Sequence, residues 1–349
     1  MVKCLVSIRT IILFSLCCAL VLPYAASSAE KMPPEKAGEM GSPTGKIAFI
    51  RDKNIWTMDA HGGHQMKICE ATNADGRLSW APDGKRIAFT RSGRVDLHAP
   101  DLLGGQHKVY DIFVAYVDSA EAGSTYWWLR LTDGLGARDP EWSADGKTII
   151  FYQDMNANRI DAEAPNYQIC TMDNDGGNLK VLRKDWQNMS EYFVSPSMNA
   201  DGEIAFVHFV TTKPNSSTGQ AGGFRAIGIA KLHRDNIMAP LESVRTQSAA
   251  NESTVAPAWS PDGKWIAYAY NSIEKPGMWI ATPDFSEKYL VFEPPPGTSL
   301  FTMSPSFSPN SKWLTFATTD GSIWICDITG NGAKRLSGPG LDYAPAWSK

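Results

Sequence analysis

The residues best suited to chemistry fall between apolar segments, and none forms a catalytic signature. Arg94, Asp96, His98, Asp101 and His107 share one stretch, and such Asp/His sets hold a metal where geometry and a second shell fix them. Their spacing matches no ligand pattern, and the glycines and leucines among them read as a solvated loop. Asp154, Asn156 and Asn158 open like a calcium loop, yet Arg159 stands where Gly is required and Pro165 where Glu is required. This excludes an EF-hand and leaves a looser calcium site through Asp161 or Glu163 as the alternative to having no cofactor. There is no G-x-S-x-G and no H-E-x-x-H. Trp186, Tyr192, Phe224 and Arg225 form a second group. Exposed aromatics and arginine are what peptide and protein interfaces favour, and packing between repeats is the competing use.

The elements that must position these residues are repeats. Pro257 to Tyr268 (PAWSPDGKWIAY) reads as a strand, a Pro-Asp-Gly turn and a second strand. Looser copies stand at Leu78–Phe89, Pro140–Phe151, Pro196–Phe206 and Pro305–Phe316. Each is followed by a second theme, clearest at Asn54–Gly63 (NIWTMDAHGG) and Ile169–Gly177 (ICTMDNDGG). Two further strands and a turn per copy make four short antiparallel strands, which predicts an all-β, six-bladed β-propeller. The aromatic position recurs at Trp80, Trp142, Met198 (a replacement), Trp259, Phe307 and Trp347, in steps of 40 to 62 residues. A bare blade needs about 40–50 residues, so the longer steps carry insertions.

The sixth copy is divided. The chain ends Ala344-Pro345-Ala346-Trp347-Ser348-Lys349, and the repeats begin Gly45-Lys46-Ile47-Ala48-Phe49. Joined, these give one more unit, so a strand around Trp347 should pair with one around Ile47 and remove the open sheet edge.

Turns between strands one and two, and between three and four, share one face of such a ring; the other connections share the opposite face. The first set is short here (PDG, ADG, NDGG), and most extra length lies in the second. Insertions gathered on one face mark it as the binding face. The recognition surface is therefore expected among Arg94, Asp96, His98, Asp101, His107, Asp154, Asp161, Trp186, Tyr192, Phe224 and Arg225. Trp80, Trp142, Trp259 and Trp347 are assigned to packing.

Residues 1–29 read as a secretory signal peptide: Lys3 and Arg9, an apolar run from Ile11 to Leu22, then small residues through Ala29. The apolar run is short of the ~20 residues a span needs, so cleavage without membrane insertion is expected. Residues 30–44 read as a disordered lead-in and 45–349 as the propeller. The signal takes two of the 33 basic residues and none of the 37 acidic ones, leaving a net charge of −6. That balance argues against a nucleic-acid surface. Cys69, Cys170 and Cys326 fall in strands of different blades and read as small buried residues, without a disulfide framework.

The doublet P-x-W-S-P-D-G-K-x-I-A-F and I-W-x-M-D-x-D-G-G, carried by Pro257–Tyr268, Trp80–Phe89, Asn54–Gly63 and Ile169–Gly177, resembles the TolB family of six-bladed propellers. The likeness runs from Gly45 to Lys349. It implies a periplasmic or secreted, monomeric propeller that binds a protein or peptide partner in the cell envelope, without the α/β domain that precedes the propeller in that family. The rival expectation is a carbohydrate-active lyase or hydrolase with acidic or His residues at the channel mouth.

Overall fold

The computed structural model describes residues 31–71, 73–93, 110–118, 128–157, 165–182, 191–211, 223–231, 245–246, 254–270, 276–300, 305–338 and 340–349. These contain six four-stranded antiparallel sheets. Blade two has strands β4 (Ala74–Trp80), β5 (Arg86–Ser92), β6 (Tyr110–Tyr116) and β7 (Trp128–Arg130). Blade three has β8 (Ala137–Trp142), β9 (Thr148–Asp154), β10 (Tyr167–Asp173) and β11 (Lys180–Val181). Blade four has β12 (Glu191–Met198), β13 (Glu203–Thr211), β14 (Gly223–Lys231) and β15 (Arg245–Thr246). Blades five and six comprise β16 (Thr254–Trp259) to β19 (Lys288–Phe292) and β20 (Ser306–Phe307) to β23 (Lys334–Arg335).

Blade one is assembled from both ends of the sequence. Strand β24 (Tyr343–Trp347) pairs with β1 (Lys46–Arg51), which continues into β2 (Asn54–Asp59) and β3 (Met66–Cys69). Ile47 lies opposite Trp347 and Ala48 opposite Ala346. The Trp347 indole donates to the carbonyl of Thr44 at 2.7 Å, and its backbone N–H to Ser306 Oγ at 2.9 Å.

Each sheet buries its faces against its neighbours, so the core is six apolar clusters, one per blade junction. Ile50, Trp80 and Phe89 lie between blades one and two, and Ile47, Phe49 and Ile323 between blades six and one. Burial of each such side chain contributes roughly 1.5–3 kcal/mol. The Pro261-Asp262-Gly263 turn is tied by one device: Ser260 Oγ donates to Asp262 Oδ1 at 2.7 Å and accepts from Trp265 N at 2.9 Å, with Gly263 at φ +68° closing the turn.

Cys69, Cys170 and Cys326 are buried free thiols. Burial pushes Cys69 up to about 11 and Cys170 up to about 12, and raises Cys326 further. Since the thiolate is the reactive form, all three should resist a thiol reagent at pH 8 in the native protein and label fully in denaturant. Rapid native labelling of any one would contradict its placement.

The lead-in is a correction to the sequence reading. Residues 31–44 are not a loose tail where they are described. They include a short helix, α1 (Pro34–Ala37), and bury Met32 and Ala37 in the cluster between blades five and six. Lys36 Nζ pairs with Glu287 at 2.6 Å, and Lys312 Nζ donates to the Ala37 carbonyl. Two buried apolar side chains and two lysine contacts hold the segment, and its Pro/Gly-rich composition hides them.

Candidate functional site: the two mouths of the channel

The inner strands β4, β8, β12, β16, β20 and β24 run in the same sense around the axis, from the face of long connections (the loop face) to the face of tight turns. Five of them carry Pro at one position: Pro140, Pro196, Pro257, Pro305 and Pro345. Strand β4 carries Leu78 there, and the residue before it, Arg77, is buried to 4% exposure. Its guanidinium reaches across the axis. Nη1 donates to Glu141 Oε2 at 2.9 Å and to the Pro196 carbonyl at 2.8 Å, and Nη2 donates to the Pro257 carbonyl at 2.7 Å. One side chain therefore ties blade two to blades three, four and five and plugs the channel.

The backbone is shaped for this plug. The residue before the proline sits in the left-handed region at a bulge at Asp139, Ser195, Ala256 and Ala344, and in β4 the left-handed residue is Gly76, one place earlier relative to the aromatic position. Gly76 is a glycine for a local reason, since a Cβ there would lie 2.5 Å from Asp139 Oδ1. That carboxylate accepts the Arg77 backbone N–H at 3.0 Å, a donor that proline lacks, and takes the Ser195 hydroxyl at 2.9 Å.

Glu141 is the matching departure from the repeat. The residue before the aromatic position is otherwise Ser79, Ser197, Ala258, Ser306 or Ala346. The serines accept a backbone N–H from the next blade: Ser79 from Trp142 at 3.0 Å, Ser197 from Trp259 at 3.0 Å, and Ser306 from Trp347 at 2.9 Å. Glu141 Oε1 does the same for Met198 N at 3.2 Å, while its other oxygen holds Arg77. Arg77, where the other copies have Asp139, Ser195, Ala256, Ser304 and Ala344, and Glu141 in the small-residue column form a single pair, and those two departures were the signal the sequence offered.

On the loop face, aromatic and guanidinium groups from three blades form a continuous ladder. The Arg138 guanidinium stacks on Tyr110 at 3.9 Å and reaches Asp75 Oδ2 at 3.5 Å. Tyr152 meets Tyr167 edge-on at 5.5 Å, Tyr167 meets Tyr192 at 5.9 Å, Tyr192 stacks on Phe209 at 5.9 Å, and Arg225 lies over Phe209 at 5.4 Å. Burial, together with the nearby Asp154 charge, raises the Tyr167 phenol above its ordinary value. The strands alone explain why these groups meet: Arg138, Tyr152, Tyr167, Tyr192, Phe209 and Arg225 lie at or near the loop-face ends of β8, β9, β10, β12, β13 and β14.

Of the residues selected from sequence, Tyr192 and Arg225 belong to this ladder, both on strands rather than in loops. Phe224 is also on β14, opposite Val210. Asp154 caps its turn, its Oδ1 accepting Asn156 N at 2.9 Å and Asn166 N at 2.8 Å. Arg94, Asp96, His98, Asp101, His107, Asp161 and Trp186 lie outside the described residues. Tyr110, Arg138, Tyr152, Tyr167 and Phe209 were missed, because each looks like an ordinary strand residue in its own repeat. On the opposite face, His64 Nδ1 lies 2.8 Å from Asp59 Oδ2 within a turn. Among the described residues no three His, Cys, Asp or Glu side chains group to hold a metal, and no helix is long and apolar enough to cross a membrane.

No protein-family model matches the chain, and no curated protein matches it. Solved structures do. TolB from Acinetobacter baumannii is 20% identical with a TM-score of 0.63, over 88% of this chain and 67% of that one. A putative TolB from Agrobacterium tumefaciens is 15% identical with a TM-score of 0.56, over 85% and 90%. Hydrazine synthase from Kuenenia stuttgartiensis is 14% identical with a TM-score of 0.59, over 89% of this chain and 47% of that one. At these identities the likeness is one of architecture. The chain has the fold of a six-bladed β-propeller, and that fold is similar to the one found in TolB.

Proposed function

We propose that this is an exported, non-catalytic propeller that binds a segment of a protein partner in the cell envelope across the loop-face mouth of its channel. The ladder from Tyr110 to Arg225 is the observation that carries the reading. Tyrosine and arginine supply large, rigid, amphipathic contact area at low entropic cost, and they dominate interface energetics. The Arg77 plug makes the mouth a blind recess, so a bound segment lies across the ladder rather than threading the ring.

The described acidic groups at this mouth are already engaged: Asp75 faces Arg138, Asp139 serves Arg77 and Ser195, and Asp342 is held by Arg51 at 2.6 Å. This weighs against carboxylate catalysis among them. The test is capture from envelope extract by immobilised protein lacking residues 1–29. Tyr192→Ala and Arg225→Ala, each first shown to be folded, should lose the partner that the wild type retains. Retention of every captured protein by both variants would overturn the assignment of this face.

A further inference from the structure

On the loop-face side of the Arg77 plug, β4 and β8 place a donor beside an acceptor. Asp75 stands two residues before Arg77, and Arg138 one residue before the Asp139 that accepts the Arg77 backbone N–H. The Tyr110 ring lies 3.9 Å from the Arg138 guanidinium, and Tyr152 stands opposite Arg138 in the sheet, so the side chain is in place before anything binds. Asp75 Oδ1 accepts Gly76 N at 3.0 Å, which fixes the carboxylate. Its Oδ2 lies 3.5 Å from Arg138 Nη2, longer than the roughly 2.7–3.2 Å of a good N–H···O bond. Among the described residues Asp75 is the one hydrogen-bond partner of this guanidinium, and Arg138 Nε is buried without any. The two side chains stay partly open, at 19% and 26% exposure.

Charge is balanced here, whereas hydrogen-bonding capacity is not. Arg51 is held by Asp342 at 2.6 Å, and Lys53 and Arg138 sit with Asp75 and Asp139. Burial works against the Arg138 charge, yet Tyr152, Asp139, Tyr110 and Asp75 together carry the guanidinium above its ordinary value. Burial works against Lys53 as well, and its bond to the Tyr343 hydroxyl at 2.9 Å, with the nearby Asp75 charge, outweighs it. Neither cation calls for another anion. An acid laid across the Arg138–Asp75 pair would meet the guanidinium but set its lone pairs against Asp75. An ammonium would meet Asp75 but face Arg138. A carboxamide satisfies both at once, its carbonyl accepting from Arg138 and its NH₂ donating to Asp75.

Resting on the loop-face reading, we propose that the bound segment is anchored by an asparagine or glutamine side chain whose carboxamide bridges Arg138 and Asp75, with its neighbours along the tyrosine ladder. The pair is built to refuse the matching acid, which differs only in setting an oxygen where Asp75 needs a donor.

A phage-displayed random-peptide library panned on the protein lacking residues 1–29 tests this, with Tyr192→Ala protein used to discard peptides that do not need the ladder. The retained peptides should share Asn or Gln at one position. A synthetic peptide in which that residue becomes the matching acid should bind at least about tenfold more weakly, as expected when an enclosed acceptor loses its donor. Asp75→Asn keeps the side-chain volume and an oxygen for Gly76 N, and it should reverse the order, so that the acid peptide binds the tighter. Ladder-dependent peptides without a shared amide, or an unchanged preference in Asp75→Asn, would overturn the proposal and leave the loop-face reading standing. Retention of no ladder-dependent peptide at all would overturn both.

Discussion

Arg77→Met should lower the unfolding free energy by about 3–5 kcal/mol, the range for breaking one side of a buried ion pair. The residue is buried and its guanidinium satisfies Glu141 and two carbonyls of separate blades. Methionine fills similar volume but leaves Glu141, itself 15% exposed, without its cation. The repeat supplies its own control. Ser197 and Ser306 occupy the column of Glu141 in blades four and six, and each accepts a backbone N–H from the next blade. Arg77→Met combined with Glu141→Ser removes the stranded charge while keeping that hydrogen bond. The double variant should therefore be more stable than Arg77→Met alone, with a coupling well above the few tenths of a kcal/mol expected of independent sites. Urea denaturation of the four proteins reads it, and additive losses would show that the pair is not a unit.

Trp347→Ala should cost about 3–5 kcal/mol, as for large buried aromatics truncated in a core. Trp347 is 2% exposed and packs between blades six and one. It also holds the segment before β1 through its indole and blade six through its backbone N–H. Deleting residues 343–349 goes further, because it strips the inner strand from blade one and leaves β1 with an open edge facing the axis. That protein should lose cooperative thermal unfolding altogether. Trp128 is the contrast: it is 39% exposed on the outer strand of blade two, and Trp128→Ala should shift stability by less than about 1 kcal/mol. A local, fraying-type loss after the deletion would contradict closure by the two ends.

The architecture was legible because its signals are local and repeated. Each copy carries its own turn chemistry, aromatic anchor and strand pair, and the division of the sixth copy between the two ends announced how the ring closes. The face with long connections followed from turn lengths alone. The ladder was not legible, since its members come from three repeats and meet only when neighbouring blades stack. Tyr110 and Arg138 touch through space, yet nothing in either repeat marks them. Arg77 and Glu141 lay between these cases. Glu141 breaks a column of small residues and Arg77 stands where the other copies have Asp, Ser or Ala, but a departure is informative only when the copies are compared position by position. The lead-in was misread because composition reports the average of a segment, whereas Met32 and Ala37 do the anchoring.

The most direct test of the central claim places a photo-crosslinking phenylalanine analogue at position 192, on the loop-face ladder, and in a second protein at position 349, on the opposite mouth. Each is irradiated in envelope extract. The account predicts a discrete protein adduct from position 192 and none from position 349. Adducts from position 349 with none from position 192 would contradict it.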